Sequence, residues 1–168
     1  MIVYKNIKGF EKMKKLLSVV MLAFAVIGLA ACSSKDANGI PNKLQDKYVG
    51  HSENPGYDGL IFSEGSSTLV FDKKENKITN KTENHTEPFV VIPEDKLDGD
   101  AKGAFNKHKS EYDGTDYFIF TANKKYDKDS SNVYVAVLSD GGKTIQINEL
   151  EYSGKDDDYL YHFYGKAE

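Results

Sequence analysis

The chain has 168 residues and a formal charge of −4, with no arginine, no tryptophan and one cysteine. It lacks the basic patch that neutralises phosphates, so neither nucleic acid nor an anionic lipid surface is an expected electrostatic partner. A single cysteine excludes an internal disulfide, and without arginine planar bidentate capture of phosphate or carboxylate is not available.

The first element in chain order is an export signal. Lys14 and Lys15 precede an apolar run over 16–28 that closes on Leu29-Ala30-Ala31-Cys32. A spanning helix needs about 20 apolar residues. This run is shorter, and its basic front and small-residue end suit a signal h-region; a transmembrane or buried helix is the alternative. The pattern resembles the bacterial lipoprotein signal, in which the cysteine takes a diacylglycerol and becomes the new N-terminus. That resemblance implies a signal peptide over 1–31 (with Met13 as the expected start), lipidation at Cys32, a tether over 32–40 and one β domain over 41–168. A diacylglyceryl group on Cys32 supplies the two chains that stable anchoring requires. The expected location is the extracytoplasmic face of a bacterial membrane: the cell membrane of a Gram-positive cell, or the outer membrane of a Gram-negative one, because Ser33 rather than Asp follows the cysteine. From Cys32 onward 17 lysines stand against 25 acids, a formal charge of −8.

Beyond the tether the pattern is short apolar runs at period two, broken by Gly, Asp and Asn. Strands are expected at 47–50, 59–62, 68–72, 77–81 and 89–92, the last between two prolines and so suited to a sheet edge. Leu97, Ala101, Ala104, Phe105, His108 and Tyr112 recur at helical spacing, which predicts a short helix over 97–109. Further strands are expected at 116–122 and 132–138. In the second, Val133, Val135 and Val137 face one way and Tyr134, Ala136 and Leu138 the other. Asp140-Gly141-Gly142-Lys143 reads as a hairpin turn, followed by a strand over 144–152, whose Ile145 and Ile147 alternation breaks at Leu150 and so predicts a bulge near Asn148, and a last strand over 159–165. The fold class is therefore mainly β, with about eight antiparallel strands and one helix. Leu44-Gln45-Asp46-Lys47-Tyr48-Val49-Gly50 resembles the first strand of lipocalin-like barrels, where a glycine lies beside an aromatic. An eight-stranded barrel of that kind just holds one small ligand. The tryptophan usual in that strand is missing and the helical insert departs from the pattern. An open curved sheet covered by one helix is the alternative.

Catalytic and metal chemistry finds no support in the residues. The histidines at 51, 85, 108 and 162 have no zinc-site spacing. Residues 127–131 begin like a calcium loop, but Asn132 and Leu138 stand where an EF-hand needs glycine and glutamate; 156–158 is an acidic turn. There is no Gly-x-Ser-x-Gly elbow and no phosphate loop, and the resemblance to a lipoprotein signal implies that Cys32 is taken by lipid. No cofactor, metal or enzymatic activity is expected. The eleven tyrosines offer flat apolar faces with polar tips, although β-propensity alone also explains them. Tyr57, on a 52–59 loop whose glycines and proline would present it outward, together with Tyr134, Tyr161 and His162, are the candidate ligand-binding residues. The expected function is a non-enzymatic, surface-anchored lipoprotein binding a small apolar ligand or a peptide, in the barrel or along an edge strand. The alternative is a protective or inhibitory lipoprotein that captures a basic protein or antimicrobial peptide.

Overall fold

The strands are laid down by the alternation of inward apolar and outward polar residues. The computed structural model describes residues 35–57, 59, 61–129, 131–150 and 161–168. The signal segment, Cys32, the first tether residues and the acidic turn at 156–158 lie outside them. The described residues form nine antiparallel strands: β1 (Lys47–Ser52), β2 (Gly65–Asp72), β3 (Lys77–Asn80), β4 (His85–Pro88), β5 (Val90–Val91), β6 (Asp116–Thr121), β7 (Tyr134–Ser139), β8 (Thr144–Glu149) and β9 (His162–Ala167). One helix, α1 (Gly99–Tyr112), enters between β5 and β6.

The sheet order is β4-β3-β2-β1-β9-β8-β7-β6-β5. Its two ends, β4 and β5, are one residue apart in the chain, so the sheet curls into a nearly closed barrel. Phe89 N–H donates to Asn76 O at 2.8 Å on the β3 side, and Ile92 N–H donates to Ile119 O at 2.7 Å on the β6 side. In an antiparallel ladder bonded residues alternate, so odd residues of this stretch serve β3 and even ones serve β6. Pro88 is even and has no N–H to give. The seam opens there into a groove of about 400 Å³ bordered by Glu87, Pro88 and 123–125.

The interior is packed. Leu69, Phe71, Ile78, Phe89, Phe118, Phe120, Ala136, Leu138, Ile145, Ile147 and Phe163 are all buried in one cluster, each large one contributing roughly 1.5–3 kcal/mol. Phe163 folds its ring over the cross-strand pair Gly50↔Gly165. A Cβ on Gly50 would stand 2.2 Å from Tyr164 O and 2.5 Å from Phe163 Cζ. The glycine of the lipocalin-like stretch is thus what lets β1 and β9 approach. Residues 40–46 close one end. Ile40 and Leu44 are buried, and Tyr48 Oη donates to Gly142 O at 2.8 Å while accepting from Gln45 N–H at 2.9 Å. Ile40, read from sequence as tether, is part of the core.

Helix α1 covers the outside of β6 and β7. Asp98 caps it by accepting from Gly99 N–H at 2.8 Å, and Ala101, Ala104, Phe105 and Tyr112 pack with Ile119, Val133, Val135 and Leu150. The helix starts two residues later and ends three later than the periodicity suggested, because Asp98 is the cap and Thr115 accepts the role of stop: its N–H and Oγ1 both donate to Tyr112 O.

Three expectations are corrected. Gly59, Ile61 and Phe62 belong to no strand; they lie in the β1–β2 connection. His85–Pro88, between the strands expected at 77–81 and 89–92, is itself a strand, β4, at a polar sheet edge. The bulge near Asn148 is not formed: Ile147↔Phe163 and Asn148↔His162 continue one register. The alternation never breaks, since Glu149 takes the inward position after Ile145 and Ile147.

Candidate functional site

The second end of the barrel is closed by the β1–β2 connection, and here the inward positions turn polar. By alternation along their strands Ser52, Ser67, Asn80, Tyr134, Glu149 and Tyr161 all face in, and all are buried. Glu149, 3% exposed, sits opposite Tyr134 in the β7–β8 register and accepts from Asn132 Nδ2 through Oε1 at 2.7 Å. Asn80 donates through Nδ2 to Ile61 O at 3.2 Å and accepts from Thr82 and Glu83 N–H through Oδ1.

Into this ring the connection inserts Tyr57, Ile61 and Phe62. The Tyr57 and Tyr134 hydroxyls lie 2.9 Å apart in a hydrogen bond. The Tyr57 ring stands 4.5 Å from that of Tyr161. Phe62 meets Tyr134 edge-on at 4.7 Å and stacks on Tyr161 at 5.2 Å. Gly56, at φ +74, turns the chain back, so Tyr57 points into the barrel rather than outward. The connection is pinned at two points. Asn54 Oδ1 accepts from His162 N–H at 2.7 Å, and Glu64 Oε2 accepts from Gly56 N–H at 2.9 Å.

Three of the four residues singled out from sequence therefore meet in one cluster. His162 stands apart: it is exposed on the outer face of β9, its Nδ1 bonded to Asn148 Oδ1. Burial raises the pKa of Tyr57, Tyr134 and Tyr161 well above the ordinary phenol range. For Tyr57 the neighbouring Tyr134 and then Glu149 add to the shift, and for Tyr134 the charge of Glu149 does. All three keep their protons. The Tyr161 hydroxyl is fully buried and has no hydrogen-bond partner; the nearby Ser52 hydroxyl donates to Asn54 Oδ1 instead, at 3.3 Å.

Glu149 was missed from sequence. Its signal was there: an acid at the third inward position of an Ile-x-Ile-x-Glu alternation. It also forms part of the floor of an outer groove of about 540 Å³, whose walls are the start of α1 and the 126–132 loop. The charged lining is Asp98, Asp100, Asp129 and Glu149 against Lys128. Such a surface attracts cations. No group of three or more metal-ligating side chains occurs among the described residues, nor is any helix among them long and apolar enough to cross a membrane.

No family model, curated protein or solved structure matches the chain.

Proposed function

We propose that this is a non-enzymatic lipoprotein, anchored through diacylglyceryl-Cys32 on the extracytoplasmic face of a bacterial membrane, whose β domain captures a basic peptide or protein. The observation that carries the reading is the acidic groove at the start of α1, set in a region, 32–168, of formal charge −8. Opposite charge steers encounter and favours cationic partners. The packed barrel interior supports an outer binding surface over a small apolar ligand held inside.

The test is fluorescence anisotropy of a labelled lysine decapeptide with the full chain in mild detergent, beside a glutamate decapeptide. The lysine peptide is expected to bind, the glutamate peptide not, and affinity to drop about tenfold or more between about 0.02 and 0.5 M salt. Binding that ignores salt, or no binding at low salt, overturns the reading. The anchor is tested separately by Cys32→Ser, which should abolish incorporation of labelled fatty acid; label in that variant would sink it.

A further inference from the structure

Adjacent antiparallel strands are usually joined by about 2–5 residues, yet β1 and β2 are joined by twelve, 53–64. Most of that length is spent on placing Tyr57, Ile61 and Phe62 inside the mouth. What they cover is mixed: Phe62 packs on the rings of Tyr134 and Tyr161 and Asn80 bonds Ile61 O, among inward hydroxyls and the Glu149 carboxylate. Burying hydroxyls, amides and a carboxylate is costly unless each is bonded, and the Tyr161 hydroxyl, fully buried and aimed into the mouth, is not.

We propose that the barrel mouth is a binding chamber for an alkylammonium group, closed in this structure by the chain's own β1–β2 connection. Glu149 supplies the counter-charge. The faces of Tyr134 and Tyr161 supply the aromatic surface on which organic cations rest. The Tyr161 hydroxyl and Ser52 supply oxygens that accept from an ammonium N–H. In the closed arrangement the Tyr57 phenol occupies the place beside Tyr134 and Glu149, so ligand and Tyr57 exclude each other. Gly56 and the two pins at Asn54 and Glu64 define the segment that would swing. Glu149 also belongs to the floor of the outer groove, whose acids draw cations to this side of the barrel. The inference deepens the proposed capture of a basic partner and rests on that reading only where the ammonium belongs to a lysine side chain. A free amine is the other source of the same chemistry.

The experiment uses the full chain in mild detergent, titrated calorimetrically with n-pentylammonium and with the lysine decapeptide, for the wild type, Tyr57→Ala and Glu149→Gln. Amide hydrogen exchange at Gly56, Tyr57 and Phe62 is followed alongside. Removing the competing plug side chain should strengthen n-pentylammonium binding about tenfold or more, since a smaller share of molecules is closed. Glu149→Gln keeps the shape and removes the charge, and should weaken it about tenfold or more. Ligand should speed exchange at the three amides. If Tyr57→Ala does not fold, Tyr57→Phe, which removes only the hydroxyl, is read in the same way. Amine binding with these dependences but no peptide binding upholds the chamber and overturns capture of a basic peptide. Peptide binding indifferent to Glu149→Gln and to loop exchange overturns the chamber and leaves capture standing. Silence from both probes overturns both.

Discussion

Tyr161→Phe should make this protein more stable. The substitution removes one oxygen from a side chain that is fully buried and whose hydroxyl finds no hydrogen-bond partner. A buried polar group left unsatisfied costs about 1–3 kcal/mol, and the ring, with its contacts to Tyr57 and Phe62, stays in place. The gain should approach that range. Its companion is Tyr134→Phe, which deletes the same atom from a buried ring two strands away. There the hydroxyl is bonded to that of Tyr57 at 2.9 Å, so the change should cost about 1 kcal/mol. The two variants share lost volume and lost polarity and differ only in bonding, so their opposite signs isolate the hydrogen bond. Urea unfolding reads both: the midpoint should rise for Tyr161→Phe and fall for Tyr134→Phe, with equal slopes. In a thermal scan each kcal/mol moves the midpoint by about 3–5 °C for a domain of this size. A fall in stability for Tyr161→Phe would refute the reasoning, since it would mean that the hydroxyl is satisfied and the mouth is not a place that lacks a ligand.

Alkaline pH should unfold the domain steeply. Tyr48, Tyr134 and Tyr161 are buried and their pKa values are raised by that burial. The unfolded chain therefore loses its phenolic protons first. The stability these groups hold is complete below about pH 10, the unfolded value, and is lost as pH rises toward the folded one. Each group removes about 1.4 kcal/mol per pH unit above that point. Absorbance at the phenolate band should show them ionising together with loss of circular dichroism, and ionisation in a still-folded protein would contradict their burial. Gly50→Ala should cost about 1–3 kcal/mol or more, because the new methyl meets backbone, Tyr164 O and Gly165 Cα at 2.2 and 2.6 Å, which cannot turn aside. An unchanged urea midpoint would show that β1 and β9 are not in such close contact.

Much of the barrel can be read from the residues, and where reading fails the cause is physical. β7 is the clearest success. Tyr134, Ala136 and Leu138 enter the barrel core, while Val133, Val135 and Val137 belong to the cluster under α1. Both faces of that strand are covered, and the alternation separates two different apolar environments. The turn at Asp140-Gly141-Gly142 is equally legible, since all three residues have positive φ and two are glycine. β4 fails because an edge strand exposed to water carries no apolar period: its His85-Thr86-Glu87 is held by hairpin pairing with β3, through backbone bonds that leave no mark in the side-chain pattern. Ile61 and Phe62 fail in the opposite direction, being apolar because they enter the core as a plug and not because they join the sheet.

Glu149 shows how a rule applied locally can hide the site. Taken residue by residue, Leu150 falls out of phase with Ile145 and Ile147, the alternation looks lost, and a bulge is the usual repair. Taken as a strand whose register is already fixed by β7 and β9, the same acid must point inward. The two ends of the barrel then differ in kind. At one, apolar Ile40 and Leu44 close over inward Tyr48, Phe71, Ile78, Leu138 and Ile145, cover and covered matching in chemistry. At the other, Tyr57, Ile61 and Phe62 close over a mixed surface, where Tyr57 bonds Tyr134 and Asn80 bonds Ile61 O but the Tyr161 hydroxyl is left without a partner. Sequences that specify one structure agree with themselves at every level, and disagreements collect where function is carried. The gap left at the mouth is one that a bound cation would fill, by giving Tyr161 a donor.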